Sequence, residues 1–169
     1  MQDNEAINTL QNQLKYSPKN ISDIKVFISE LLKANKKHNF ISKNTENIIW
    51  HRHILDSAQL VKFIDFSKGS LSDLGSGAGF PGLILAIFNK NKDFHVKLYE
   101  KSPVKRAFLK EMSDKLSLKI EIHARSIFLQ GLLLSEYPES FSIQFLLHFW
   151  PFLFLTNLHP NVFKRLVRG

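Results

Sequence analysis

Apolar residues recur at helical spacing in the first third of the chain and in short bounded runs through the middle, and this change of period predicts a change of architecture. Over residues 22–37, Ile24, Phe27, Ile28, Leu31 and Leu32 share one face and Lys25, Glu30, Lys33, Lys36 and Lys37 the other, the pattern of an amphipathic helix. A weaker pattern predicts a helix over Asp3 to Leu14. Tyr16-Ser-Pro-Lys-Asn20 between the two reads as a turn, because Pro18 cannot continue a helical hydrogen-bond ladder. A further helix is predicted from Thr45, whose hydroxyl can cap free amides, through Ile48, Ile49, Arg52 and Leu55, with His53, Asp56 and Ser57 at its far end.

From Ser70 the runs shorten. Ser70 to Leu74 is extended, glycines follow, and Leu83 to Phe88 is apolar throughout, as a buried helix would be. A second strand is predicted at His95 to Tyr99, a helix from Pro103 through Ala107, Phe108, Leu109 and Met112, and a third strand at Lys119 to His123. Strands alternating with helices imply right-handed crossovers and a parallel sheet, hence a doubly wound α/β fold. Residues 1–60 form a helical cap on this reading, 61–125 the α/β core and 126–169 a divergent tail, within a single domain.

The chain has 169 residues, 44% of them apolar, enough for one core. It has no cysteine, which excludes disulfides and thiolate metal sites, and its start does not resemble a signal peptide. A cytoplasmic location without a bound metal is the expectation. A formal charge of +8 favours a polyanionic partner such as RNA or DNA. The tail departs from the rest: 5 of the 38 charged residues and 9 of the 20 aromatics lie from Ser126 onward. Phe141 to Leu155 is apolar, but Gln144, His148 and Pro151 interrupt it and it falls short of the ~20 residues a membrane-spanning helix needs, so no membrane association is expected.

Four of the 7 glycines lie in Asp73-Leu-Gly-Ser-Gly-Ala-Gly-Phe-Pro-Gly82, after a predicted strand and before a predicted helix. Gly75, Gly77 and Gly79 can take positive φ there and let backbone approach a ligand, beside the free amides of a helix start. Two cofactor classes fit. Gly77 to Gly82 matches G-x-G-x-x-G, with Glu100 standing 18 residues beyond the last glycine, near where a dinucleotide site keeps its ribose-binding acid. The same stretch reads D-x-G-x-G-x-G and resembles the first motif of the S-adenosylmethionine-dependent methyltransferases. Asp73 suits a cationic cofactor and repels a pyrophosphate, whereas Glu100 suits either through ribose hydroxyls, or is a strand-end acid paired with Lys101 or Lys105.

Trp50-His-Arg-His-Ile-Leu-Asp-Ser57, then the Asp73–Gly82 stretch, then Tyr99-Glu-Lys-Ser-Pro-Val-Lys-Arg-Ala-Phe-Leu109 together resemble the methyltransferase G family, also called glucose-inhibited division protein B. The resemblance spans about residues 20 to 125. It implies a Rossmann-like methyltransferase with an N-terminal helical cap, S-adenosyl-L-methionine as cofactor, and methylation of guanine N7 in 16S ribosomal RNA or the small ribosomal subunit. It also implies that Gly75 and Phe80 contact the cofactor and that Ser126 and Ile127 lie by the adenine. Guanine N7 carries a free lone pair, so no catalytic acid or base is expected. Arg52 and His53, with Asp56, are candidates for the mouth of the site, the alternative being that His53 and Asp56 tether their helix to the sheet. Lys33, Lys36, Lys37 and Lys43 are candidates to face phosphate. Relatives continue with a fourth strand and a Ser-Arg-Ala-Phe-like segment, neither of which is legible after Ser126, and this predicts a divergent or frameshifted tail and an incomplete sheet. The competing functions are a nicotinamide-dependent oxidoreductase and an inactive remnant of the methyltransferase.

Overall fold

Pro18, expected to end a helix, begins one. It occupies the first turn of α2 (Pro18–Asn35), where its missing N–H leaves no bond unmade. Ser17 caps that turn, its Oγ accepting from the Asn20 amide at 3.2 Å while Asn20 Oδ1 accepts from the Ser17 amide at 2.9 Å. α2 thus starts four residues earlier than the apolar period alone indicates, and α1 (Gln2–Asn12) precedes it. The computed structural model describes residues 2–124 and 140–142.

The continuous helix expected from Thr45 is broken into pieces. α3 (Lys43–Glu46) is a single turn, Trp50–Leu55 is a π-helical turn, and α4 (Asp56–Ala58) runs into a 3-10 turn at Gln59–Phe63. Thr45 caps nothing: its hydroxyl donates to the Ser42 carbonyl at 2.8 Å, inside α3.

β1 (Ser70–Leu74) pairs in parallel with β2 (His95–Tyr99), Ser70 opposite His95 and Leu74 opposite Tyr99, and β2 pairs in parallel with β3 (Ile120–His123). A three-residue strand, β4 (Ser140–Ser142), joins the other side of β1, also in parallel. Among the described residues the order is β3-β2-β1-β4, so β1 is interior. No strand was legible after Ser126, because three residues are too few to display a period of two. Strands are laid down to one side of β1 as β2 and β3 and then to the other as β4, and α/β sheets bind ligands outside the carboxyl ends of their strands at such a switch of strand order.

α5 (Gly82–Phe88) lies against β1 and β2 and is covered in turn by α2 and α4. It is buried from Gly82 through Ile87, as its apolar sequence requires. α6 (Pro103–Lys115), capped by Ser102, packs beside β3. The cap and the sheet share one core: Phe27 and Leu31 of α2, Leu83 to Leu85 of α5, and Val96 and Leu98 of β2 belong to one buried cluster. Two polar bonds cross the seam, Tyr16 Oη donating to the Ile84 carbonyl at 3.2 Å and Asn20 Nδ2 to the Ile87 carbonyl at 2.5 Å. Tyr16→Phe keeps the buried ring and removes one neutral bond, so urea denaturation is expected to show a loss of about 1 kcal/mol with the slope unchanged. A changed slope would mean that the hydroxyl governs how the cap docks. No helix among the described residues is long and apolar enough to cross a membrane.

Candidate functional site

The glycine loop leaves β1 at Leu74 and is tied to the end of β2. The Gly75 and Ser76 amides both donate to the Tyr99 carbonyl, at 2.7 and 3.0 Å. Gly75, Gly77 and Gly79 have φ of 81°, 58° and 106°, the left-handed region a side chain disfavours. At Gly79 a Cβ would also run into the Leu83 side chain, so that position needs glycine twice over. At Gly77 a Cβ would meet only the Gly75 carbonyl oxygen, at 3.7 Å, so the space before the loop is open there.

Two carboxylates hold the loop from behind. Asp73, 1% exposed, accepts from the Gly82 amide through Oδ2 at 3.1 Å and so links the end of β1 to the first residue of α5. Ser76 Oγ donates to the Asp73 carbonyl at 3.0 Å, closing the same turn. Glu100, 6% exposed, accepts from the Gly77 amide through Oε2 at 2.8 Å and from the Ser102 amide through Oε1 at 2.7 Å. Backbone amides therefore hold Glu100, rather than Lys101 or Lys105. Arg106 Nη1 reaches past its carboxylate to the carbonyls of Glu100 and Lys101, at 2.9 and 2.6 Å.

Burial pushes the Asp73 carboxyl up to about 7, the bonds from Gly82 and Ser76 pull against this, and the nearby Glu100 charge adds to it. The loop thus has acceptors and negative charge behind it. Carboxylates so placed suit hydroxyls or a cation, and the charge of Asp73 opposes a pyrophosphate.

Phe80 closes the far side of the loop between Phe27, met edge-on at 5.4 Å, and His53, stacked on it at 4.9 Å and 19°. His53 thereby joins the glycine loop, a contact with no sequence signal beyond its place in the Trp50–Ser57 stretch. Arg52 stands apart on the outer side of the same turn, 3.6 Å from Asp56, and lines a cavity with Glu5, Ile48 and His51. Burial raises the Asp56 pKa more than the Arg52 and His51 charges lower it. Lys33 pairs with Glu30 at 3.0 Å, a carboxylate that Lys115 shares at 3.2 Å, and these two lysines hold Glu30 below its ordinary pKa. Lys33 and Lys37 border a groove between α2 and α6 floored by Phe40 and Phe108, and Lys36 and Lys43 are exposed. The proposed cations thus fall on separate parts of the cap. Ser126 and Ile127 lie outside the described residues. Among the described residues no group of three or more histidine or acidic side chains could hold a metal ion.

A family model described as rRNA small subunit methyltransferase G matches residues 20–127. Among curated proteins, the ribosomal RNA small subunit methyltransferase G of Pelagibacter ubique is 44% identical over 107 residues, which cover 61% of this chain and 50% of that protein. The protein of the same name from Magnetococcus marinus is 45% identical over 93 residues, 55% of this chain and 41% of its own. That from Rickettsia felis is 41% identical over 102 residues, 60% and 52% of the respective chains. The chain spans about half the length of the curated relatives it matches.

Proposed function

Since the chain belongs to the rRNA small subunit methyltransferase G family, we propose that it binds S-adenosyl-L-methionine at the Asp73–Gly82 loop and methylates guanine N7 of 16S ribosomal RNA in the small subunit. The observation that carries the cofactor choice is the pair of buried carboxylates, Asp73 and Glu100, behind a glycine loop with open space at Gly77. S-adenosylmethionine, when bound, supplies an electrophilic methyl group on a cationic sulfur. Gly75 and Gly77 offer close backbone approach to it and Phe80 an apolar wall. Glu100 keeps lone pairs for ribose hydroxyls beside the two amides it already accepts. Asp73 favours the cation through its charge and shapes the loop through Gly82.

Because N7 arrives unprotonated, the chain needs no general base, and its residues act by orientation and by excluding water. Arg52, Lys33, Lys36 and Lys37 meet RNA phosphates as point charges without base readout. His53, on the same turn as Arg52, stacks on Phe80 of the cofactor loop. The cap and the α/β core act as one domain, the cap contributing the cations and the core the cofactor loop. Neither the nicotinamide alternative nor the inactive remnant finds support in the comparisons.

Calorimetry on the 169-residue chain against S-adenosylmethionine, S-adenosylhomocysteine and NADH is the test, followed by mass spectrometry of 16S ribosomal RNA for 7-methylguanine. Binding of the first two without NADH is the expected result. NADH binding without the sulfonium would overturn the reading.

A further inference from the structure

Phe80 is the aromatic residue of the glycine loop, and what holds its ring holds the loop. Phe27 of α2 meets it edge-on, and His53 lies flat on it. The imidazole is itself fixed. Its Nε2 is 2.9 Å from Thr45 Oγ1, and the single hydroxyl proton of Thr45 goes to the Ser42 carbonyl at 2.8 Å. Thr45 therefore accepts, Nε2 carries the proton, and Nδ1 is an acceptor. The His53 carbonyl is anchored too, receiving the Ser57 hydroxyl at 2.6 Å. Burial, followed by the neighbouring Arg52 charge, lowers the imidazole pKa, so the ring is neutral at neutral pH. A neutral ring stacks flat on phenylalanine without removing a cation from water.

We propose that His53 is a positioning residue: pinned by Thr45, it stacks on Phe80 and holds the Gly79–Phe80 corner of the glycine loop in the shape that receives the cofactor. In this role it acts through Phe80 and touches neither cofactor nor RNA. The bonds of the corner itself are local, the Gly79 and Phe80 amides both turning back to the Ser76 carbonyl, at 2.7 and 3.2 Å, so the Phe80 ring, held by Phe27 and His53, ties this corner to the cap. Arg52 precedes His53 on the same π-helical turn, so one element carries both the cation offered to RNA and the ring that supports the cofactor loop. The inference rests on the cofactor reading above only for the identity of the ligand.

Two readouts on the full chain separate the inference from that reading: hydrogen exchange of the Gly79 and Phe80 amides in the ligand-free protein, and the dissociation constant for S-adenosylmethionine. His53→Ala is expected to accelerate exchange at those amides and to weaken binding, each by about tenfold. His53→Phe, which keeps a flat ring, is expected to return both to within about twofold of wild type. His53→Leu fills the volume without a flat ring and is expected to behave like alanine, so a poorly folding alanine variant does not end the test. If alanine and leucine lower only the melting temperature and leave both readouts unchanged, or if phenylalanine rescues neither, His53 is a packing residue and the inference is overturned. If the exchange pattern holds while wild type binds no S-adenosylmethionine, the positioning role stands and the cofactor reading fails.

Discussion

Gly82→Ala is expected to remove about 4 kcal/mol of stability, overpacking and a displaced buried carboxylate contributing comparably. Gly82 opens α5 with its α-carbon facing β1 and β2, where a Cβ would overlap the Leu98 side chain and stand 2.6 Å from Asp73 Oδ2 and 3.1 Å from Asp73 Cβ. Neither neighbour has room to retreat, Leu98 being 0% and Asp73 1% exposed. Moving α5 outward instead breaks the bond from the Gly82 amide to Asp73 and leaves a buried carboxylate without its donor. A loss of this size is a large part of the 5–15 kcal/mol that typically holds a domain together. Gly77→Ala is the internal comparison. Its Cβ meets open space, so only the left-handed φ of 58° is penalised, by about 1–2 kcal/mol. Urea denaturation of the two variants should therefore differ several-fold in stability lost. Equal losses would mean that α5 moves off the sheet at little cost, and that its close approach does not explain the last glycine of the loop.

How legible such positions are in the sequence depends on whether their cause is local. β1 and β2 fall on the residues predicted for them, Ser70–Leu74 and His95–Tyr99, because each is a short run bounded by turn-forming residues. α6 was legible from Pro103, which suits a first helical turn. Pro18 does the same for α2, but a proline after an apparent turn reads equally well as a stop, and only the reciprocal bonds of Ser17 and Asn20 decide it. The breakdown of the segment after Thr45 into α, π and 3-10 turns was not legible, since pieces of one or two turns are too short for apolar spacing to tell the three periods apart.

The same distinction divides the candidate site. The glycine cluster and both acids stand out in the sequence, but the backbone amides they hold do not. Glu100 clasps Gly77, 23 residues away, and His53 stacks on Phe80, contacts that chain folding alone creates. A lysine patch is easy to see in the sequence as well. The pairing of Lys33 with Glu30 and the separation of Arg52 from the lysines belong to tertiary structure.

Asp73→Asn is expected to stabilise the protein above neutral pH while weakening the cofactor, and the pH dependence separates the two effects. The folded carboxyl titrates at about 7, against 3.8 for an unburied aspartate. Between those values the folded state holds a proton that the unfolded state has released, so stability falls as pH rises. The contribution is complete below about pH 4, declines to about pH 7 and is then flat. A separation of about three units corresponds to a few kcal/mol. Asparagine is neutral throughout and its Oδ1 can still accept from Gly82, so the difference between variant and wild type should be near zero at pH 4 and grow toward pH 8. Cofactor affinity should run the other way. Wild type should bind S-adenosylmethionine more tightly as Asp73 ionises between pH 6 and pH 8, by about tenfold for a charge acting through a partly dry site, while the variant stays flat. A variant that gains stability at pH 8 and keeps wild-type affinity would make Asp73 a strut for α5 and remove its charge from the choice of cofactor. Loss of affinity with gain of stability would show that an ionised carboxyl is kept buried, against its own solvation, for the positive charge it receives.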